Sequence, residues 1–317
     1  MSLERKLRAR IEGKQTKRKT LKLIKWLQRK HLLKEKLRCP LCFHKMKMFS
    51  VTKKDQYIWC CKRGHKRVSK TIRAGSLFEK SKSSLLNWMK YIYRFSQGLR
   101  LRQIDMISDD IAGSSTTLSK MARCIRRVCI CAMERQRRKN RQCLGGRKEF
   151  VVIDESCFRH QRKYARGRFG NTWRRKKWVF GMMGVKDKRR RVVLKLVEKR
   201  SRRHLVPLIR QHVKAGSSII SDEWRAYRVV LRNFGYKHYT TNHSRWFVDP
   251  RSGSHTQHIE RAWGIIKGHI RRLRGNRTEA LLKEHLMVLE WSSWLGSRNP
   301  DGPLGRLFKD IQKAFPV

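Results

Sequence analysis

The stretch "EFVVIDES", residues 149–156, sets an apolar run, Phe150 to Ile153, directly before two carboxylates, Asp154 and Glu155. A short run rich in β-branched residues and bounded by polar ones reads as a buried strand. A carboxylate is excluded from such a strand unless it projects from the strand end into a site. The arrangement returns at "SSIISD", residues 217–222, where Asp222 closes a second short apolar run. Between and after the two lie strand-like "KKWVFGMMGV" (176–185) and "RRRVVLKLVEK" (189–199), helical "SRRHLVPLIRQHVKAG" (201–216) and "EWRAYRVVLRNFG" (223–235), strand-like "YKHYTT" (236–241) and helical "HIERAWGIIKGHIRRLRG" (258–275). Three strands, then helix, strand, helix, strand and helix, predict an α/β layer with a mixed sheet over residues 149–295. The segments "EALLKEHLMVLEWSSWL" and "LGRLFKDIQKAF" are expected to add helices that cover the sheet, the second of them in a C-terminal helical tail over 296–317.

Charge bounds the partners. The 317 residues hold 80 Lys and Arg against 23 Asp and Glu, a formal net charge of +57, yet 39% are hydrophobic, enough for the cores of two or three domains. So large a positive charge implies a polyanionic partner, with nucleic acid first, because neutralising phosphates releases their condensed counterions. No run of about 18 apolar residues is present, which excludes a membrane span, and "MSLERKLRAR" lacks the apolar centre of a secretory signal. Nine cysteines in a chain expected to stay inside the cell read as thiols or metal ligands. The basic runs "KQTKRKTLK" and "RQRRKNR" suit nuclear import if the host has a nucleus; otherwise the protein is expected on the nucleoid.

Upstream of the α/β layer four segments are expected. Residues 1–38 form a basic segment with a weak helical stripe at Leu21, Ile24, Leu27 and Leu32; residues 39–75 a zinc ribbon; residues 76–138 a helix-turn-helix-like module; and residues 139–148 a linker. The module has three helical stretches, "SLLNWMKYIYRFSQG", "LRLRQIDMISDDIAG" and "SSTTLSKMARCIRRVCICAMERQ". Gly98 and Gly113 end the first two, and Ser114 or Ser115 is placed to cap the third. The third would turn Ser119, Lys120, Arg123, Arg126 and Arg127 to one side, as a helix entering a major groove does, although a basic face is common on any helix of so basic a chain.

The ribbon rests on Cys39 and Cys42, whose spacing lets two thiolates on one knuckle meet a single ion. Cys60, Cys61 and His65 follow, and one of the adjacent cysteines with His65 completes a four-ligand zinc site. Cys61 is the better choice, because on a strand it shares a face with Trp59 while Cys60 points away. A closed site of this kind folds its module and performs no chemistry. Cys124, Cys129 and Cys131 read as small core residues.

A strand-end Asp has a plain reading as a turn or cap residue, and a helical Glu is usually solvated. Asp154, Asp222 and Glu260 together mean more, with Glu260 beside an apolar stripe of Ile259, Trp263 and Ile266. Two strand-borne aspartates and a helical glutamate in this order can bind two hard divalent ions through oxygen. Ions about 4 Å apart can activate a water or 3′-hydroxyl and stabilise the leaving oxygen of a phosphodiester. Glu155 and Glu223 follow the aspartates directly and read as supporting or surface groups. His255, His258 and Lys267 flank Glu260 within reach of a phosphate, Trp224 and Tyr227 sit at core spacing, and each also has an ordinary structural reading.

Here a resemblance enters. "WCCKRGHKRVSKTIRAGSLF", "VVIDESCF", "WVFGMMG", "IISDEWRAYRVV" and "TTNHSRWFVDPRSGSHTQHIERAWGIIK" resemble the Merlin-type DDE transposases, which are related to the ISXO2-like insertion-sequence transposases, over roughly residues 39–295. The resemblance implies a ribonuclease H-like catalytic domain in which Asp154, Asp222 and Glu260 bind two Mg²⁺ or Mn²⁺ ions. It also implies binding of terminal inverted repeats, strand cleavage and transfer to target DNA, with at least two protomers pairing the ends. His65 stands where the family pattern more often has a cysteine. A domesticated DNA-binding protein and an RNA-binding or ribosomal protein are the rival expectations, and the complete triad speaks against both.

Overall fold

Ser2 and Thr16 open the first two helices, each side-chain oxygen accepting from a backbone N–H three residues on. The computed structural model describes residues 2–52, 54–64, 66–98, 111–139, 142–159, 176–187, 189–222, 230–241, 257–272 and 278–317. Its contacts divide into two units, Met1–Ala132 with Leu295–Val317, and Met133–Trp294.

In the first unit, helices Leu3–Ile11 (α1) and Lys17–Arg29 (α2) turn Leu3, Leu7, Ile11, Leu23, Ile24, Trp26 and Leu27 inward. A three-stranded antiparallel sheet follows, Lys47–Ser50 (β1), Tyr57–Cys61 (β2) and Val68–Thr71 (β3), with β2 central. Its exit is held by a buried ion pair: Arg73 Nη2 donates to Asp55 Oδ1 at 2.8 Å, and Arg73 Nη1 donates to the Ser81 carbonyl at 2.9 Å. Asp55 also accepts from the Leu85 N–H, at the start of helix Leu85–Ser96 (α3). Helix Ser115–Arg138 (α4), which belongs to this unit as far as Ala132, is capped by Ser114, whose hydroxyl accepts from the Thr117 N–H. Two stretches of the expected three-helix module are seen as α3 and α4. Most of the stretch between them, residues 99–110, lies outside the described residues.

The second unit carries a five-stranded sheet. Strands Phe150–Arg159 (β4), Lys176–Lys186 (β5) and Arg189–Val197 (β6) run antiparallel, and Ser218–Asp222 (β7) and Lys237–Thr241 (β8) extend β4 in parallel, in the order β6-β5-β4-β7-β8. Helix Arg202–His212 (α5) links β6 to β7, a short turn of helix Val230–Asn233 (α6) precedes β8, and helices Gln257–Arg272 (α7) and Glu279–Trp291 (α8) follow. Ile259, Trp263, Ile266 and Ile270 from α7, with Leu282 and Leu286 from α8, meet Val152, Val179, Met183, Val185, Leu194 and Ile220 of the sheet in one core. This mixed α/β layer fits a ribonuclease H-like transposase domain. A π-helical turn, Ser292–Gly296, leads to helix Gly302–Ala314 (α9).

Two segments differ from the sequence reading. Residues 142–148 were read within a linker, but Gln142 and Leu144 are buried: Leu144 pairs with Val213, and Gln142 Nε2 donates at 2.7 Å to the fully buried Glu290. Glu290 also accepts from Arg137 Nη2 at 2.9 Å and the Leu194 N–H at 2.8 Å, so its buried charge is met by hydrogen-bond donors of its own unit. The stretch "LGRLFKDIQKAF" was expected on the sheet. As α9 it packs with α1 and α3 in the first unit, Phe308 lying edge-on to Trp26 with ring centroids 5.8 Å apart. Periodicity gave its apolar face but carries no information on which core receives that face.

Candidate active site and metal knuckle

Parallel pairing of β4 with β7 sets the first two carboxylates side by side. Val151 pairs with Ile219 and Val152 with Ile220, so Asp154 and Asp222 stand two residues further along each strand. Asp222 ends β7, as the sequence suggested. Asp154 does not end its strand: β4 continues to Arg159 against β5, and only its parallel neighbour stops. The aspartate therefore sits where one flank of β4 loses its partner.

Helix α7 brings Glu260, exposed, beside buried Ile259 in its first turn. One turn on, the Trp263 indole N–H donates to Asp154 Oδ2 at 2.9 Å. Gly181, opposite Asp154 on β5, makes that possible: a Cβ there would come within 2.5 Å of Trp263 Cζ2. Sequence reading treated Trp263 as packing; its contact with Asp154 was missed, and the only signal was a glycine in a strand, which often marks a close approach.

The carboxylates feel one another. Burial, the charge of Asp222 and that of Glu260 push the Asp154 carboxyl up to about 6, while the Trp263 and Glu155 N–H groups pull it down. Three acids that repel across one site fit a divalent cation, whose charge would offset the repulsion through hard oxygen donors. Glu155 is partly buried and is pushed up to about 8 by burial, then by Asp154 and Asp222. Its buried Oε1 finds no hydrogen-bond partner among the described residues. Lys267 is half-buried farther along α7. Glu223, Trp224, Tyr227 and His255 lie outside the described residues, as does the side chain of His258.

In the first unit, Cys39, Cys42 and Cys61 bring their sulfurs within 4.8 Å of one another, and Cys42 Sγ stands 3.5 Å from Cys61 Sγ. Thiolates each about 2.3 Å from a tetrahedral ion lie roughly 3.8 Å apart, so this donor set fits zinc. Burial works to raise the Cys39 thiol, but hydrogen bonds from the Cys42 and Leu41 backbone and from the Cys42 and Cys61 thiols bring it down to about 7. The Cys60 sulfur is turned elsewhere and accepts from Arg67 Nε at 3.3 Å. His65 lies outside the described residues. On α4, Lys120, Arg123 and Arg127 are exposed and Arg126 is half-buried. Cys129 is buried, whereas Cys131 is exposed and so is no core residue.

Among the described residues no helix is long and apolar enough to cross a membrane. A family model described as the ISXO2-like transposase domain matches residues 126–285, just over half of the chain and the whole span from Asp154 to Glu260. The comparison with curated proteins found no match.

Proposed function

The chain belongs to the ISXO2-like transposase family, and from that membership we propose that it is a cut-and-paste DNA transposase. It binds the terminal inverted repeats of its element, cleaves the strand and joins the 3′-hydroxyl to target DNA, as a homodimer or higher oligomer that pairs two ends. Asp154, Asp222 and Glu260 are its catalytic residues and hold two Mg²⁺ or Mn²⁺ ions. Such ions, when bound, acidify an attacking water or 3′-hydroxyl and offset charge on the leaving oxygen.

The chain's own groups prepare that site. The Trp263 N–H fixes one oxygen of Asp154 and with it the orientation of a carboxylate that would hold a divalent ion together with Asp222 and Glu260. Lys267, two turns beyond Glu260, neutralises a phosphate of the scissile strand. Lys120, Arg123, Arg126 and Arg127 contact repeat DNA, and Cys39, Cys42, Cys61 and His65 bind a structural zinc that shapes the N-terminal module. In a eukaryotic host the protein acts in the nucleus.

The observation that carries this reading is the placement of Asp154 and Asp222 at matching positions of the paired parallel strands β4 and β7, with Glu260 on the helix packed against that sheet, all within the matched family domain. The test is strand cleavage of duplexes carrying the element's ends, with Mg²⁺, Mn²⁺ or chelator. Cleavage that needs the divalent ion and is lost in Asp154→Asn and Asp222→Asn, with end binding kept, supports the proposal. Tight, salt-sensitive binding without any cleavage would make the chain a DNA-binding protein only.

A further inference from the structure

We infer that Phe43 is a base-stacking wedge on the metal knuckle, directed at duplex DNA. The knuckle closes through two backbone hydrogen bonds, Phe43 N–H to the Cys39 carbonyl at 3.0 Å and Cys39 N–H to the His44 carbonyl at 2.9 Å. Between them residue 43 takes φ +57°, a left-handed conformation in which glycine is free and a bulky side chain is strained. Phenylalanine gains little packing for that strain. It is 69% exposed, the most exposed large hydrophobic side chain among the described residues, and Leu41 of the same knuckle is 60% exposed. Strain kept where packing gains nothing points to a contact made outside the chain.

The surroundings identify the partner. Residues 36–54 contain no Asp or Glu, and Lys36, Arg38, Lys45 and Lys47 are all exposed. An apolar tip on a predominantly cationic segment suits a duplex: the cations meet phosphates while the ring enters between bases and partly unstacks a step. A protein partner would need a continuous acidic rim around an apolar pocket to match the same surface. The inference rests on the proposed DNA-binding role and adds the residue and contact by which the knuckle engages bases.

The experiment uses the full chain and Phe43→Gly, Phe43→Ala and Phe43→Trp variants, with a terminal-repeat duplex bearing 2-aminopurine at successive steps. Affinity is read by anisotropy over a salt series, unstacking by 2-aminopurine emission, and folding by thermal melting and zinc content. Phe43→Gly removes the backbone strain, so its melting temperature should equal or exceed that of the wild type. Its affinity should nevertheless fall roughly tenfold, the size of one stacking contact, with an unchanged salt slope and loss of the emission rise at one step; Phe43→Trp should retain both. Phe43→Gly binding as tightly as the wild type, with the same emission, overturns the inference while leaving DNA binding intact. So does a variant that loses only self-association. A wild-type chain that binds no duplex overturns the DNA-binding reading itself, and the wedge with it.

Discussion

Trp263 of α7 and Asp154 of β4 are joined by a 2.9 Å hydrogen bond that exists because Gly181 leaves room for the indole. The bond spends one carboxylate oxygen on the protein and fixes the plane of the other. Trp263→Phe removes the donor together with part of the buried indole's packing over Gly181. It should lower stability by about 1–3 kcal/mol, weaken Mn²⁺ binding several-fold by calorimetry, and slow cleavage more than it weakens DNA binding. Gly181→Ala drives a methyl into the indole and should cost about 1–3 kcal/mol in thermal melts, since overpacking forces neighbours to move. Equal Mn²⁺ binding in Trp263→Phe and wild type would show that the indole only fills space.

Glu260→Gln preserves size and removes charge, so cleavage of repeat ends should collapse while binding and folding persist. Glu260→Asp should fare little better, because it withdraws the oxygens by about one methylene from ions that tolerate a few tenths of an ångström. Glu155→Gln is the control. Burial, then the charges of Asp154 and Asp222, push the Glu155 carboxyl up to about 8, towards the neutral form that glutamine closely resembles. It should cleave at a rate near that of the wild type, and a collapse equal to that of Glu260→Gln would move Glu155 into the catalytic set.

His212 supplies a pH test away from the carboxylates. Burial, and next the charge of Lys195, lower its pKa from 6.5 to about 4, and its buried Nε2 has no partner among the described residues. The unfolded chain therefore holds more protons than the folded one between those values, so stability rises with pH across that window. His212's contribution is fully present above about 6.5 and is lost as pH falls towards 4. His212→Leu, neutral at every pH, should show a flatter melting temperature over this range than the wild type. Parallel curves for the two proteins would count against a neutral buried imidazole.

Cys61→Ser and Cys60→Ser separate the adjacent thiols. Cys61 lies with Cys39 and Cys42, whereas Cys60 accepts from Arg67. Loss of zinc and of N-terminal protection from proteolysis is expected for Cys61→Ser only, since ligand binding and folding of such a module are coupled. Stoichiometric zinc in Cys61→Ser, measured by metal analysis, would assign the site to other residues.

Local pattern alone made much of this protein legible. The apolar runs before Asp154 and Asp222 marked strands, the stripe Ile259, Trp263 and Ile266 marked a buried helix face, and the Cys39 and Cys42 spacing marked a knuckle, because each signal lies within a few neighbouring residues. Only tertiary structure decided that Asp154 lies inside a strand, since strand length is set by pairing with β5 and not by β4's own composition. Only long-range packing put the Trp263 N–H on Asp154 through the gap at Gly181, more than 80 residues away in sequence. The same holds for α9, whose amphipathic face was readable but whose packing on α1 and α3 was not. It holds too for Phe43, whose left-handed backbone arises from closing the knuckle and leaves no mark in composition or period. Periodicity reports which side of an element is apolar; what that side meets depends on contacts between residues far apart in the chain.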